Sequence, residues 1–425
     1  MNILLAIFTF LLVIASTVFA GQIIYVDDDA PNDPAPDDPG LSDFLENGTE
    51  AHPFDTIQEA IEVAQDGHVV LVWPGLYLDT DPLNDDSIDL LGKNITLTST
   101  DPANSNVVES TIIRGYVQFA GTEDANCMLT GFSIKDPYEG AVYGNGTHAT
   151  ISHCIISGNR PPNAIVIMEC DGTISNCVIT DNTNCVGCGD QLLPAIYECG
   201  GLIKNCTIAN NASGISVFGG KLLTIENCII YNNGGSQIEV LSGSTLDISY
   251  CDLQDGLEGI AGNGAVNWGL GNIDAYPYFV DVTNENYHLR SEGWRWSKYL
   301  IHGSHWTYDY VSSQCIDAGN PGSPLDDELL TVPDDPCHDW GVNLRINMGA
   351  FGGTAQASMP PYDWALLGDL TNDGTVGYED LAWQIKDWLT SANEQPGDLN
   401  RDRVVNMIDF AMLADGWLQM TDWAE

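Results

Sequence analysis

Basic residues are scarce in this 425-residue chain: 13 Lys and Arg stand against 60 Asp and Glu, a formal charge of −47. That excludes nucleic acid as a partner, because a run of phosphates would meet nothing to neutralise it. Anionic membranes are disfavoured for the same reason, and polyuronates would need a bridging cation. Long apolar runs are missing beyond the first twenty residues, so no membrane span is expected in the mature chain. Disorder is excluded by the 44% of apolar residues. What the carboxylates favour is a soluble, self-repelling surface with an appetite for hard cations such as Ca²⁺.

The first twenty residues read as a signal peptide. Ile3 to Ile14 is an apolar run of h-region length, and Val18-Phe19-Ala20 offers a cleavage site before Gly21, although the n-region lacks Lys and Arg. The mature chain is therefore expected to be secreted or extracellular, cell-surface association included.

The middle of the chain repeats. Leu129-Thr-Gly-Phe132-Ser-Ile134, Ile151-Ser-His-Cys154-Ile-Ile156, Ile174-Ser-Asn-Cys177-Val-Ile179, Ile203-Lys-Asn-Cys206-Thr-Ile208, Ile225-Glu-Asn-Cys228-Ile-Ile230 and Ile248-Ser-Tyr-Cys251-Asp-Leu253 fall into one register. Five residues past the anchor stand Asn159, Asn182, Asn211 and Asn233. A period of about 22 residues means a solenoid, one coil per unit. Alternation around each anchor reads as a short strand, and a second short apolar run upstream, such as Ala195-Ile-Tyr197, reads as a strand on another face. Stacked strands put like side chains in columns about 4.8 Å apart: aliphatic and Cys columns inside, an Asn column at a bend. Helical repeats need longer, less β-branched units. Near the start, residues 54–64 carry apolar residues at helical spacing with Asp55 or Thr56 as N-cap.

This pattern, over residues 22–290, resembles the right-handed parallel β-helix of the pectate-lyase-like superfamily. The resemblance implies an all-β solenoid whose N-terminal helix plugs the open first coil, removing an exposed edge. Residues 268–353 lose the repeat and resemble a C-terminal segment of secreted bacterial β-helix proteins, expected as the last coils plus their cap.

Of twelve cysteines, Cys154, Cys177, Cys206, Cys228 and Cys251 share one column, which reads as core packing rather than disulfides. Cys185-Val-Gly-Cys188 lies in an insertion, where a disulfide, half a metal site or a redox pair are all open; we expect a structural disulfide, with Cys170 or Cys199 as further partners. Cys315 and Cys337 are a second candidate pair. The acidic run Asp27-Asp28-Asp29, Asp33, Asp37-Asp38 reads as a solvated loop or a Ca²⁺ holder.

Thr354 to Leu366 reads as a linker after a β-helix domain spanning 21–353, and residues 367–425 form a separate module. It holds two matching segments 29 residues apart, starting Gly368-Asp369-Leu-Thr371-Asn-Asp373 and Gly397-Asp398-Leu-Asn400-Arg-Asp402, each running into an amphipathic helix. Oxygen ligands at loop positions 1, 3, 5, 7 and 12 suit a seven-coordinate hard cation. The duplicated pattern is similar to type I dockerins, small α-helical Ca²⁺-binding modules that dock onto cohesins. The resemblance makes Asp369, Thr371, Asp373, Thr375 and Asp380 the first site and Asp398, Asn400, Asp402, Val404 and Asp409 the second. Thr375 and Val404 would serve through their carbonyls. Two departures stand out: Thr371 replaces the usual Asn, and Arg403 replaces the turn Gly, so weaker binding is expected in the second loop.

Chemistry on the coil is less legible. β-Helix lyases use a basic or phenolic side chain to abstract the proton beside a uronate carboxylate, and glycosidases use paired carboxylates. The polygalacturonase pattern (Asn-Thr-Asp, Asp-Asp, Gly-His-Gly) and the pectate-lyase Arg-x-Pro-x-x-Arg are both absent. Lys204 is the candidate base; Glu198 and Glu169 are further catalytic candidates, on a face that could line a Ca²⁺- or sugar-binding groove. Tyr143, Tyr197, Trp294, Trp296 and Trp306 are candidate sugar platforms, against the blander readings of a solvated acidic face and of aromatics covering the core. The expectation is a secreted protein acting on or binding polysaccharide, as a lyase or hydrolase if an enzyme, docked through a cohesin-like partner. The alternative is a non-catalytic structural or adhesion protein.

Overall fold

The computed structural model describes residues 21–33, 43–78, 87–135, 140–159, 166–183, 192–301, 304–331 and 341–424. The segment read as a signal peptide, the Cys185–Cys188 insertion, Cys337 and Asp37-Asp38 lie outside them. Among the described residues, strands build three parallel sheets of ten, eight and eight strands, each strand paired with the equivalent strand one coil away. This is a right-handed parallel β-helix, the hand that parallel crossovers take.

The first face stacks Ile151 on Ile174, Ile203, Ile225 and Ile248. The third face stacks Val142 on Ile167, Ile196, Ile215 and Ile238. The first register follows the repeat of the anchor motif, at steps of 22, 23 and 29 residues, while the third steps less evenly, by 19 to 29. The anchor motif is not one strand, however. The residue before each anchor turns the chain through left-handed backbone: Gly131 at φ 83°, His153 51°, Asn176 51°, Asn205 48°, Asn227 53°, Tyr250 51°. Asn tolerates that region better than most side chains, which explains its recurrence there. The strand therefore breaks in two, and the residues after the Cys belong to a second face, Ile155–Ser157 and its equivalents.

That second face carries adjacent aliphatics, such as Ile155-Ile156, Val178-Ile179 and Ile229-Ile230. One of each pair points into the coil and the other outward, and a strand buried on both sides needs apolar residues at both positions. The cover is the tail. Tyr287 Oη donates to Asp181 Oδ2 at 2.7 Å, Ala350 N–H donates to Thr207 Oγ1 at 3.1 Å, and Val178, Ala209, Tyr287 and Ala350 share a core cluster. Only the start of the tail continues the coil, through the parallel bridge Asp252–Ile273; beyond it the chain runs back along the second face, as far as the Lys298–Glu109 ion pair at 3.2 Å.

The Asn column closes the bend between second and third faces. Asn159, Asn182 and Asn211 each donate from Nδ2 to Oδ1 of the next Asn, at 2.9, 2.9 and 3.0 Å. Gln237 ends the ladder, accepting from Asn233 Nδ2 at 2.9 Å. At the other end of the coil, the helix Ile57–Val63 begins at its N-cap Thr56 and buries Ile57, Ala60 and Ile61 against the first strands. In the acidic run, Asp28 is buried and accepts Leu76 N–H at 3.0 Å, so it ties strands together.

The column cysteines are buried free thiols, with Cys206 N–H 3.3 Å from Cys228 Sγ. Cys170 and Cys199 form a second such stack, 3.2 Å from backbone N to Sγ, and neither is in a disulfide. Cys315 is also a free thiol; it donates to Asp252 Oδ2 at 3.2 Å, both groups fully buried. The disulfides expected at Cys170, Cys199 and Cys315 are therefore corrected: strand stacking and burial use these thiols as small apolar groups.

Candidate functional site

The two acidic loops are built alike. In the first, Asp369 is held by its own loop: Oδ1 accepts Asp373 N–H at 3.2 Å and Oδ2 accepts Gly374 N–H at 2.9 Å. Asp373 Oδ1 accepts Thr375 N–H at 2.8 Å. Asp380, nine residues after Thr371, reaches back: Oδ1 accepts Thr371 N–H at 3.0 Å, and Oδ2 accepts Gly377 N–H at 2.7 Å, capping the helix Tyr378–Lys386. The Thr371 hydroxyl stands 3.3 Å from Asp369 and 3.0 Å from Asp380.

The second loop repeats this. Asp398 accepts Asp402 N–H at 3.1 Å and Arg403 N–H at 2.6 Å, Asp402 accepts Val404 N–H at 3.0 Å, and Asp409 accepts from Asn400 and Asn406 ahead of the helix Met407–Asp415. Asn400 Nδ2 lies 3.1 Å from Asp402. Gly374 sits at φ 84° and Arg403 at φ 73°, so the second loop makes the same turn at a steric cost that glycine avoids.

Four of these carboxylates, Asp369, Asp380, Asp398 and Asp409, are at most 3% exposed, and none has a Lys or Arg within salt-bridge distance among the described residues. Burial raises Asp369 to about 6, moderated by the charge of nearby Arg345, and pushes Asp398 up as well. Buried acids met only by neutral donors, backbone N–H groups and the Thr371 hydroxyl, are costly unless a cation joins them. The mixed donor set of carboxylate, hydroxyl, amide and carbonyl oxygen fits Ca²⁺ and not a soft metal. Among the described residues no three acidic, His or Cys side chains already converge on one point.

On the coil, the structure separates side chains expected to act together. Lys204 lies on the first face, while Tyr143 and Tyr197 lie on the third. Lys204 is paired with Glu226 at 3.8 Å and with Glu394 of the module. Burial raises Glu226, an effect Lys204 opposes. Lys204 is thus an anchor between coil and module, its ammonium shared by two carboxylates. Glu169 and Glu198 occupy left-handed bends, φ 54° and 53°, at the far edge of the third face. Beside them, Asp171 is engaged by Lys221 at 2.6 Å. Tyr197 stacks on Phe218 at 6.1 Å, and burial, then the charges of Glu198, Glu169 and Glu239, raise its phenol, so it keeps its proton.

The tail aromatics are largely engaged with each other. Trp296 stacks against His288 at 5.2 Å and His305 at 5.6 Å, Trp294 meets Tyr308 edge-on at 5.7 Å, and Trp306 pairs with Trp296 across the hairpin. Trp296 also walls a cleft of about 60 Å³ on the second face, with His153, Glu109 and Phe351. These rings lie along the side of the coil rather than over its open end.

Fold and loops together define a parallel β-helix protein with a C-terminal module of duplicated acidic loop–helix units. Comparison with known families divides the chain the same way. Residues 79–256 match the periplasmic copper-binding protein (NosD) family, 257–319 the disaggregatase-related family, and 367–416 the dockerin type I domain. Among solved structures, the crystal structure of pectate lyase Pel9A is similar at 13% identity, covering 78% of this chain and 96% of that one, with a TM-score of 0.40. A search of curated proteins returns no match. No helix among the described residues is long and apolar enough to cross a membrane.

Proposed function

We propose that this is a secreted β-helix protein that engages polysaccharide and is held in place by a Ca²⁺-loaded dockerin-like module. The observation that carries the reading is the pair of acidic loops: buried carboxylates, repeated at the same loop positions, with no Lys or Arg within salt-bridge distance among the described residues. Asp369, Thr371, Asp373, Asp380 and the Thr375 carbonyl would hold one Ca²⁺; Asp398, Asn400, Asp402, Asp409 and the Val404 carbonyl would hold the other. Bound Ca²⁺ supplies charge balance and a fixed loop, and no bond-making step. Around the loops, Tyr378, Met407 and Ile408 at the helix starts are 79%, 63% and 56% exposed, an apolar surface suited to a cohesin-like partner.

Calorimetry with Ca²⁺ on the full chain tests the loops. Two binding events are expected, with Asp369→Ala and Asp398→Ala each removing one; an unchanged titration in both variants refutes the ligand assignment.

A second reading, a non-catalytic extracellular scaffold, is favoured by Lys204 being consumed in ion pairs. A panel of acidic and neutral polysaccharides, followed by unsaturated-product absorbance and reducing-end release with Ca²⁺ present, separates the two. Turnover supports an enzyme; binding without turnover supports a polysaccharide-binding protein; neither supports the scaffold.

A further inference from the structure

The segment read as a linker is packed rather than extended. Residues 356–360 are buried, and Met359 N–H donates to Trp294 O at 2.7 Å. The module beyond it shares one apolar cluster with the coil end and tail: Tyr250, Leu270 and Met348 pack with Leu370, Val376, Leu399 and Leu413.

The polar contacts fall on the acidic loops themselves. Asp369, Leu370 and Asn372, within the first four loop positions, are each gripped by the body. Arg345, 1% exposed, donates from Nη1 to Asp369 O at 2.6 Å, while its other nitrogens hold Gly319 O at 2.7 and 2.9 Å. Tyr250 Oη donates to Leu370 O at 3.1 Å. Asn372 Nδ2 donates to Gly271 O at 2.8 Å and Ala318 O at 2.7 Å. In the second loop the equivalent fourth position is Arg401, which donates to Pro321 O at 3.0 Å and Leu344 O at 2.7 Å. Asn372 and Arg401 share φ 58°, so the duplicated loops present the same left-handed corner to the body.

From this we propose that Ca²⁺ occupancy of the loops controls the docking of the module onto the coil's tail, making the module a metal-set cap with one fixed orientation. The inference rests on the reading that these loops bind Ca²⁺. Its physical basis is that one backbone strip does two jobs. Without a cation the clustered carboxylates repel one another, which works against the loop's own N–H contacts and loosens its backbone. A bound cation pins the loop, and with it the carbonyls of Asp369 and Leu370 that Arg345 and Tyr250 require. By linkage, whatever binds the docked form better shifts the population toward it.

The test is hydrogen exchange of the full chain with and without Ca²⁺, read at residues 269–273, 317–322 and 343–347, beside a Ca²⁺ titration of the same samples. Ca²⁺ is expected to slow exchange there at least tenfold. In an Asn372→Ala/Arg401→Ala double variant, which keeps every proposed ligand, Ca²⁺ should still titrate while the tail loses that protection. Arg345→Lys, which keeps the charge but not the fork, should lose part of it. If Ca²⁺ titrates in the wild type and exchange in the tail does not change, the docking is not metal-controlled and the proposal is overturned. If Ca²⁺ does not titrate, the loop assignment itself fails, and this proposal falls with it. Should the double variant fail to fold, the wild-type comparison alone decides.

Discussion

Replacing Asn211 by alanine tests the internal ladder. Asn211 is 3% exposed, and its side chain is bonded on both sides. Its Nδ2 donates to Ile179 O at 2.9 Å and to Asn233 Oδ1 at 3.0 Å; its Oδ1 accepts Asn182 N–H at 3.2 Å and Asn182 Nδ2 at 2.9 Å. After the substitution Asn182 Nδ2 keeps Ile156 O at 2.9 Å, and Asn233 Oδ1 keeps the residue-211 N–H at 3.1 Å. The main casualty is the buried Asn182 N–H, which loses its acceptor. One orphaned buried donor costs about 1–3 kcal/mol, and losing the remaining bonds adds about 1 kcal/mol, so we expect a loss of about 2–4 kcal/mol. Urea unfolding followed by far-ultraviolet circular dichroism measures it, with exchange of the Asn182 amide as the local readout. The exposed Asn126→Ala should stay within about 0.5 kcal/mol of wild type. A midpoint for Asn211→Ala as close to wild type as that control would refute the claim that the ladder closes the bend.

Other consequences are as direct. The nine described thiols are buried, with Cys127 pushed up to about 12 by burial and Cys177 and Cys206 raised well above the ordinary thiol value by the same cause, so a thiol reagent should label none of them before unfolding; mass spectrometry locates any label. Asp252 is raised to about 7 by burial, so its contribution to stability is full below its unfolded value near 4 and is lost as pH rises through 7. Asp252→Asn should therefore match wild type at pH 4 and exceed it by about 1–3 kcal/mol at pH 8 in thermal melts; no gain at pH 8 would sink that account. Lys204→Ala leaves Glu226 and Glu394 without their cation and should destabilise the chain by about 1–3 kcal/mol. Any polysaccharide turnover should survive the change; its abolition in a folded variant would restore Lys204 as a base.

Columns were legible because a solenoid writes its contacts as a period. Each coil meets only its neighbours, so residues 22 or 23 apart in sequence are adjacent in space, and Ile151, Cys177 and Asn182 announce their rows by repetition alone. The acidic loops were legible for a related reason, since all their ligand positions lie within twelve residues. The corner before each Cys was missed, the anchor motif being read as one strand, although Asn176, Asn205 and Asn227 recur there; the doubled aliphatics of the second face went unread as the mark of a covered strand, and they do not name what lies across it. The return of the tail along that face, the grip of Arg345 on Asp369, and the capture of Lys204 by Glu394 join residues 24 to 190 positions apart with no repeat behind them. Local spacing and periodicity set the coil and the loops; which surfaces they cover depends on long-range packing of apolar area and buried charge, which only the folded chain decides.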